Sequence, residues 1–360
     1  MLIKVNSIGR LGLDVVKVIV EVNISERGFP GFDIVGISGK AATESKGRIK
    51  TALINSGIKF PSSKKIVVNV APAELPKEGA SYDLPIAVGI MCLVSNLCIP
   101  VDSLFMGELS LDGGICYTHG VFLMSLFARE NRFKEIFVPK ENANEAFFSE
   151  DLSVDIYTPS NLRELFFHLG DSKRIFKFSA KANATFLPTY DIDFSDILGQ
   201  EQAKRVLEIS AAGRHNVLMI GPPGVGKSML AKAFPSILPK LSLSESIEVS
   251  KIYSASGIIP PNGSLIYKRP YRNPHHTVSF VGLLGGGAGL KPGEVSLAHR
   301  GVLFLDELSE FQRGLLEALR QPIEDGKVVI SRNRGTVSFP SRFILLSATN
   351  PCPCGYLGHP

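Results

Sequence analysis

A segment with the sequence of a phosphate-binding loop lies between two apolar runs. Over residues 221–228 it matches the pattern G-x-x-x-x-G-K-[ST] at every required position. The apolar runs 216–220 and 229–234 predict a strand before the loop and a helix after it, which is the context that such a loop needs. The candidate nucleotide-binding residues are therefore Gly221, Pro222, Pro223, Gly224, Val225, Gly226, Lys227 and Ser228.

The residue types in this loop fit the binding of a triphosphate. Glycines let backbone N–H groups wrap the phosphates, and the start of a following helix favours negative charge. Lys227 is expected to reach the β- and γ-phosphates of ATP, and the Ser228 hydroxyl is expected to ligate Mg²⁺.

Two adjacent carboxylates, Asp306 and Glu307, follow another apolar run at residues 301–305, which is typical of a central parallel strand. We expect Asp306 to hold Mg²⁺ through water and Glu307 to polarise the attacking water as a general base. An acidic pair alone often only starts a helix, but together with the loop it predicts ATP hydrolysis. A further run, 343–349, ends at Asn350, which either orients that water or simply begins a turn. The candidate catalytic residues are Lys227, Asp306, Glu307 and Asn350.

Composition limits the class of protein. At 360 residues the chain is long enough for two or three domains. The longest apolar run, 84–94, is far shorter than the roughly 20 residues of a membrane-spanning helix, and no secretory signal is visible. Five cysteines, three of them in apolar segments, suit a reducing compartment. We therefore expect a cytoplasmic protein without a membrane partner.

Several motifs together carry a resemblance to a known family. They lie at residues 272–277, 285–287, 292–294, 297–299, 303–308 and 350–355. This set resembles the magnesium-chelatase-like AAA+ proteins of the ComM/YifB group over the whole chain. The resemblance implies an α/β AAA+ P-loop core with a parallel sheet, ATP and Mg²⁺ as cofactors, and self-association into a ring, expected to be a hexamer. It also implies a DNA motor of the branch-migration or helicase kind, linked to recombination and natural transformation.

Other functions remain open from the sequence. A chelatase-like or protein-remodelling ATPase shares the core motifs, and an ATP-binding fragment with little turnover is a further alternative. The net charge of +5 is too small to argue for nucleic acid by itself.

The best candidate for contact with single-stranded or branched DNA is a predicted hairpin at residues 325–339. Its β-branched arms flank a tip with basic, Asn and Gly residues, which is typical of a hairpin. In related hexameric motors such a hairpin points into the central pore. Lys327, Arg332 and Arg334 are therefore candidate DNA-binding residues, and the alternative is a solvated hairpin whose charges serve only solubility.

The chain is expected to divide into three parts. Residues 1–170 predict an α+β domain that resembles Lon proteases, residues 171–191 a linker, and residues 192–360 the AAA+ core. In the Lon resemblance Ser81 aligns with the catalytic serine, but Phe122 stands where the catalytic lysine belongs. A serine without a base is a poor nucleophile, so we expect no protease dyad and a helix N-cap role for Ser81.

The resemblance also implies a further helical domain after Pro360, with an arginine finger and a second sensor. We therefore expect a truncated chain that binds ATP but hydrolyses it slowly. Cys352 and Cys354 resemble the first half of a zinc cluster, to which His359 could add a ligand, and Zn²⁺ is expected only in a longer chain.

Two neighbouring features have no assigned chemistry. The adjacent residues His275 and His276 are poorly spaced for joint metal binding on a helix, so we expect a structural or nucleotide-sensing role. The glycine-rich segment 280–290 lacks the strand and helix that a second phosphate loop needs, and a pore loop is the better interpretation.

Overall fold

The computed structural model describes most of the chain, and its two compact units are described separately. Unit 1 comprises Met1–Ala182 with Gly257–Ser264, and unit 2 comprises Asn183–Ser256 with Leu265–Pro360. The described residues are 1–73, 80–147, 153–179, 189–258, 265–287, 289–332, 335–352 and 357.

Unit 1 is an α+β structure. The strands and helices in chain order are β1 (Leu2–Leu11), β2 (Asp14–Ser25), β3 (Gly31–Val35), α1 (Gly39–Asn55), β4 (Lys65–Ala71), α2 (Asp83–Ser95), β5 (Ser103–Phe105), β6 (Glu108–Leu109), β7 (Ile115–Cys116), α3 (Val121–Glu130), β8 (Glu135–Phe137), a 3-10 turn (Lys140–Asn142), α4 (Ala143–Ala146), β9 (Asp155–Tyr157) and α5 (Leu162–Leu169). A four-stranded sheet has the order β1-β2-β4-β3 and is antiparallel except for the parallel β3–β4 pair. Strands β5-β8-β9 form a parallel sheet, and β6-β7 form a short antiparallel ladder.

The core of unit 1 follows from the sequence pattern. In β4 the buried residues Ile66, Val68 and Val70 alternate with more exposed ones, which is the period of a sheet with one covered face. Helix α2 is apolar and buried along most of its length. Gly89 lets it approach the sheet, because a Cβ atom there would lie 2.5 Å from Cγ2 of Val22.

The N-cap prediction for Ser81 is wrong. Helix α2 begins at Asp83 with Tyr82 at the N-cap position, and no side chain caps it. The Ser81 carbonyl instead accepts a hydrogen bond from the Gly107 N–H, at 3.1 Å. A tertiary contact of the backbone therefore fixes this residue outside the helix.

Unit 2 contains the phosphate-loop segment. Its elements in chain order are a 3-10 turn (Phe194–Asp196), α6 (Glu201–Gly213), β10 (Val217–Ile220), α7 (Lys227–Ala233), a 3-10 turn (Phe234–Ile237), α8 (Leu243–Ser256), β11 (Tyr271–Arg272), α9 (Phe280–Leu284), β12 (Gly285–Gly286), β13 (Lys291–Pro292), α10 (Glu294–Leu297), β14 (Val302–Leu305), a 3-10 turn (Leu308–Glu310), α11 (Arg313–Ala318), α12 (Arg320–Asp325), β15 (Lys327–Arg332), β16 (Gly335–Pro340) and β17 (Ile344–Thr349).

The main sheet of unit 2 is parallel and has the order β10-β17-β14-β11. All four residues of β14 are fully buried, as expected for an inner parallel strand. Segments that follow these strands meet at one edge of the sheet, where α/β proteins commonly bind ligands. The other ladders, β12–β13 and β15–β16, are antiparallel hairpins. Across the described parts of both units, every helix is too short or too polar to cross a membrane.

Candidate nucleotide-binding site

The predicted phosphate loop joins β10 to α7, as the sequence indicates. Gly224 and Gly226 have φ angles of +83° and +91°, in the left-handed region that favours glycine. The loop is tied to the chain before α6, because the Gln200 side-chain amide donates to the Val225 carbonyl at 3.2 Å. Left-handed residues alternating with others are typical of backbone that can turn successive N–H groups toward an anion.

Lys227 and Asn350 meet at this loop. The Lys227 ammonium donates to the carbonyl oxygens of Gly221 and Pro222, at 2.6 and 3.0 Å, and to Oδ1 of Asn350 at 3.1 Å. Asn350 follows β17, the strand that pairs with β10. The structure thus places the Asn350 amide against the ammonium that the sequence assigns to the phosphates.

Ser228 and Asp306 form the second contact of the site. The Ser228 hydroxyl donates to Oδ2 of Asp306 at 2.7 Å. A hydroxyl and a carboxylate are hard oxygen ligands of the kind that Mg²⁺ binds, usually together with waters and substrate phosphates. The residues present therefore fit a magnesium site of this type.

The Tyr271 hydroxyl adds to the polar character of this region. It is buried and has no hydrogen-bond partner among the described residues. Burial, with a smaller contribution from the negative charge of Asp306, raises the pKa of Tyr271. No sequence motif singled out this residue, whose position depends on the β11–β14 pairing.

Glu307 has an unusual backbone conformation. Its φ angle of +51° lies in the left-handed region, which costs energy for a residue with a Cβ atom. Its N–H donates to Oδ1 of Asp306 at 3.0 Å, and its side chain is mostly exposed. The carboxylate oxygen Oε2 lies 3.8 Å from Nδ1 of His276. The acidic pair thus separates, with Asp306 facing Ser228 and Glu307 facing His276.

A charge pair that the sequence did not predict ties β11 to α10. The guanidinium of Arg272 donates two hydrogen bonds to the carboxylate of Glu294, at 2.5 and 2.7 Å. These bonds raise the pKa of Arg272. Both residues belong to motifs of the family resemblance, and this was the only signal for them.

The predicted DNA-binding residues are only partly described. The hairpin itself is confirmed by the ladder of β15 and β16. Lys327 is exposed and pairs with Pro340 at the base of the hairpin, away from the tip. Arg332 ends β15, but its side chain lies outside the described part of the chain, as does all of Arg334.

The zinc prediction falls mostly outside the described residues, which exclude Cys354 and His359. Cys352 is described, and its Sγ accepts a hydrogen bond from the Leu357 N–H at 3.2 Å. Within the described ranges, no group of three or more His, Cys, Asp or Glu residues could hold a metal ion.

The protease position in unit 1 carries no basic side chain. Phe122 is buried near the start of α3, and its N–H donates to a carboxylate oxygen of Glu145 at 3.1 Å. A phenyl ring there cannot accept the proton of a serine.

Comparisons with known proteins agree with the geometry. The chain is 40% identical to the competence protein ComM of Haemophilus influenzae, over 96% of this chain and 68% of that protein. It belongs to the ComM/YifB family. The YifB protein of Escherichia coli is 41% identical over 96% of the chain and 67% of its own length. The family models for the ChlI subunit of magnesium chelatase match residues 193–360 and 20–142 of this ComM/YifB protein.

More distant relatives share only part of the chain. The 38 kDa subunit of magnesium chelatase from Rhodobacter capsulatus is 28% identical over 44% of this ComM/YifB chain and 50% of that subunit. A model of the complex between the magnesium chelatase subunits BchI and BchD, based on a cryo-EM reconstruction, contains a chain that is 27% identical to this one with a TM-score of 0.37. The match covers 46% of this chain and 56% of the chelatase chain. The family membership and the parallel sheet of unit 2 fit an AAA+ α/β fold, and the family implies the use of ATP and Mg²⁺.

Proposed function

We propose that this chain binds ATP with Mg²⁺ at residues 221–228 and hydrolyses it. The observation that carries the proposal is the 2.7 Å hydrogen bond between Ser228 and Asp306, with Lys227 beside Asn350 on the same edge of the parallel sheet. The loop, the Ser228 hydroxyl and the Asp306 carboxylate thus meet at this edge, and the candidate general base Glu307 directly follows Asp306. This is the set of groups that phosphoryl transfer needs.

Each residue has a role that its contacts support. Lys227 leaves its loop carbonyls to neutralise the β- and γ-phosphates, while Asn350 keeps its ammonium beside the loop. Ser228 and Asp306 hold Mg²⁺, which neutralises charge on the phosphate oxygens when bound. Glu307 accepts a proton from the attacking water, and the exposure of its side chain leaves that carboxylate free to reach a water.

We further propose that the ATPase acts on single-stranded or branched DNA as a ring, expected to be hexameric. The similarity to a protein named for competence and the hairpin of β15 and β16, which has one buried face and one exposed face, support this assignment. Six hairpins at one level of a ring would concentrate basic side chains that a single copy presents sparsely. Unit 1 is then a Lon-like domain that serves assembly or partner contact without peptide cleavage.

A chelatase-like or protein-remodelling activity is the second candidate. It is favoured by the match to the ChlI models and by the partial similarity to a chelatase subunit. ATP turnover that does not respond to DNA would support it over a DNA motor.

The ATPase proposal is tested by nucleotide binding and by hydrolysis with and without branched DNA. Glu307→Gln should retain ATP affinity and lose hydrolysis, because an amide cannot accept the proton. Glu310→Gln removes another exposed carboxylate from the next turn and should behave like the unaltered protein. Equal hydrolysis by the Glu307→Gln and Glu310→Gln proteins would contradict the role of Glu307.

The DNA proposal is tested by fluorescence anisotropy with labelled single-stranded and branched DNA. Replacement of Arg332 and Arg334 by alanine should weaken binding and reduce its salt dependence. The matched control is Arg313→Ala, since Arg313 is an exposed arginine on α11 whose side chain is 92% accessible. If both proteins bind DNA equally well, the hairpin is not the DNA contact.

A further inference from the structure

His276 is held in a defined position next to the carboxylate of Glu307. It lies inside a turn that is closed by a hydrogen bond from the Val278 N–H to the His275 carbonyl, at 2.9 Å. Its ring packs against the ring of His275, at 4.0 Å between centroids, and meets the ring of Phe311 edge-on, at 6.4 Å. These contacts fix the imidazole more firmly than a long surface side chain would be fixed.

The neighbouring ring is itself anchored. Nδ1 of His275 lies 2.9 Å from Oγ1 of Thr277, so the ring that His276 contacts has a polar partner in the same turn. The two adjacent histidines thus have different roles, one supporting the turn and one facing Glu307.

The segment that carries His276 is attached to the segment after β14 at a second point. Downstream of the turn, the Ser279 side chain caps α9 by accepting from the Gly282 N–H at 3.0 Å. The ring of Phe280, the first residue of α9, lies against Gly314 of α11, since a Cβ atom at Gly314 would be 3.7 Å from it. The segment after β11 therefore contacts the segment after β14 at two points, His276 and Phe280.

Glu307 needs such a partner. Its side chain is 60% exposed, and a glutamate side chain loses rotamer entropy when it is fixed in one orientation. Among the contacts described for its carboxylate, the 3.8 Å approach of His276 Nδ1 is the one that can orient it. The separation of 3.8 Å is longer than a hydrogen bond, so the two atoms must approach more closely for His276 to orient the carboxylate.

The geometry points to His276 as a positioning residue that orients the Glu307 carboxylate for proton abstraction. This inference rests on the proposed ATP hydrolysis and adds a residue to it. His276 acts through Glu307 and does not itself accept the proton of the water. Around metal sites, loss of a residue that orients a ligand typically lowers metal affinity or activity about 10–100-fold, and we expect a loss of similar size here.

The test separates hydrolysis from binding. The single-turnover rate constant of ATP hydrolysis and the dissociation constant of a fluorescent ATP analogue are measured for the protein and its variants. His276→Ala should lower the rate constant about tenfold or more with an affinity that stays within about twofold. His276→Asn, whose side-chain N–H group is attached to Cγ as Nδ1 of histidine is, should recover a large part of the lost rate. His215→Ala removes an exposed histidine before β10 and should leave both quantities unchanged.

The possible outcomes distinguish this inference from the proposed function. If Glu307→Gln abolishes hydrolysis and His276→Ala does not change the rate constant, the positioning role is refuted while the ATPase proposal stands. A weaker affinity with an unchanged rate constant in His276→Ala also refutes it, because that result indicates a contact with the nucleotide. If Glu307→Gln retains full hydrolysis, the proposed function fails and the inference fails with it.

Discussion

His299 gives unit 2 a pH-dependent stability that can be worked out from its contacts. The side chain is almost completely buried just before β14. Its Nδ1 accepts a hydrogen bond from the Arg342 N–H at 3.0 Å, and its Nε2 lies 3.0 Å from Oε2 of Glu248. Because Nδ1 is an acceptor, the folded protein contains the neutral ring with its proton on Nε2. Protonation of Nδ1 would leave two N–H groups facing each other.

Burial lowers the pKa of His299 below its ordinary value of 6.5, and the positive charges of Arg300 and Arg342 add to this effect, despite the hydrogen bond to Glu248. Below pH 6.5 the unfolded chain therefore binds a proton at this residue that the folded chain does not. The free energy of unfolding falls as the pH falls from 6.5 toward the folded pKa. One proton corresponds to a slope of at most about 1.4 kcal/mol per pH unit.

The measurement is urea unfolding of the protein and of His299→Gln at several values between pH 5.5 and 7.5, monitored on unit 2. Glutamine keeps a donor and an acceptor but does not titrate. We expect the variant to be less stable by about 1–3 kcal/mol at pH 7.5, because its hydrogen bonds are imperfect. The difference should shrink toward pH 5.5. The pKa of Glu248 is lowered from 4.5, so its own contribution changes below this range. Parallel pH profiles for the two proteins would refute the reasoning.

Three further predictions concern single positions. Lys227→Ala should weaken ATP affinity at least about tenfold in isothermal titration calorimetry, because a charge that reaches the phosphates is lost; unchanged affinity would contradict the site. Arg272→Lys should lower the free energy of unfolding by about 1–3 kcal/mol, because lysine cannot form the two bonds to Glu294. Gly285→Ala should cost about 1–3 kcal/mol, since φ is +102° and a Cβ atom would lie 2.6 Å from the Lys291 carbonyl. The stability of this variant is measured by thermal unfolding. Gly47→Ala, in an open position of α1, is its control and should be neutral or stabilising in the same measurement.

The sequence predicted the strands of the unit 2 sheet better than the contacts at its edge. Apolar runs around residues 217–220, 302–305 and 344–349 became β10, β14 and β17. The inner strands β14 and β17 are apolar because both of their faces are covered, whereas β10 is an edge strand in which Leu218 and Ile220 are more than half exposed. The polar residues Asp306, Glu307 and Asn350 were identified because they directly follow two of these apolar runs. Sheet order could not be read from these runs, so the approach of Lys227 to Asn350 and of Ser228 to Asp306 required the structure.

Other contacts left no local signal at all. The partner of Arg272 is Glu294, on a helix separated from it by the segment of α9 and the β12–β13 hairpin. The error at Ser81 is of another kind: its residue type suits an N-cap, and it was therefore assigned a role within its own segment. Its position is set by the backbone bond to Gly107, which belongs to a later part of the chain. A tertiary contact therefore outweighed the local preference of serine for an N-cap position.

The order of the strands explains the order of the contacts along the edge of the sheet. From β10 to β11 the contacts follow as Lys227 with Asn350, then Ser228 with Asp306, then Glu307 with His276. The last contact depends on the spacing between β14 and β11, an edge strand of only two residues. The bidentate bond from Arg272 to Glu294 fastens that short strand to α10, directly before the turn of His276. Arg272→Lys, which weakens the attachment of this strand, should therefore lower the rate of ATP hydrolysis through His276 as well as the stability. In a protein that already carries His276→Ala, the same substitution should lower the rate no further.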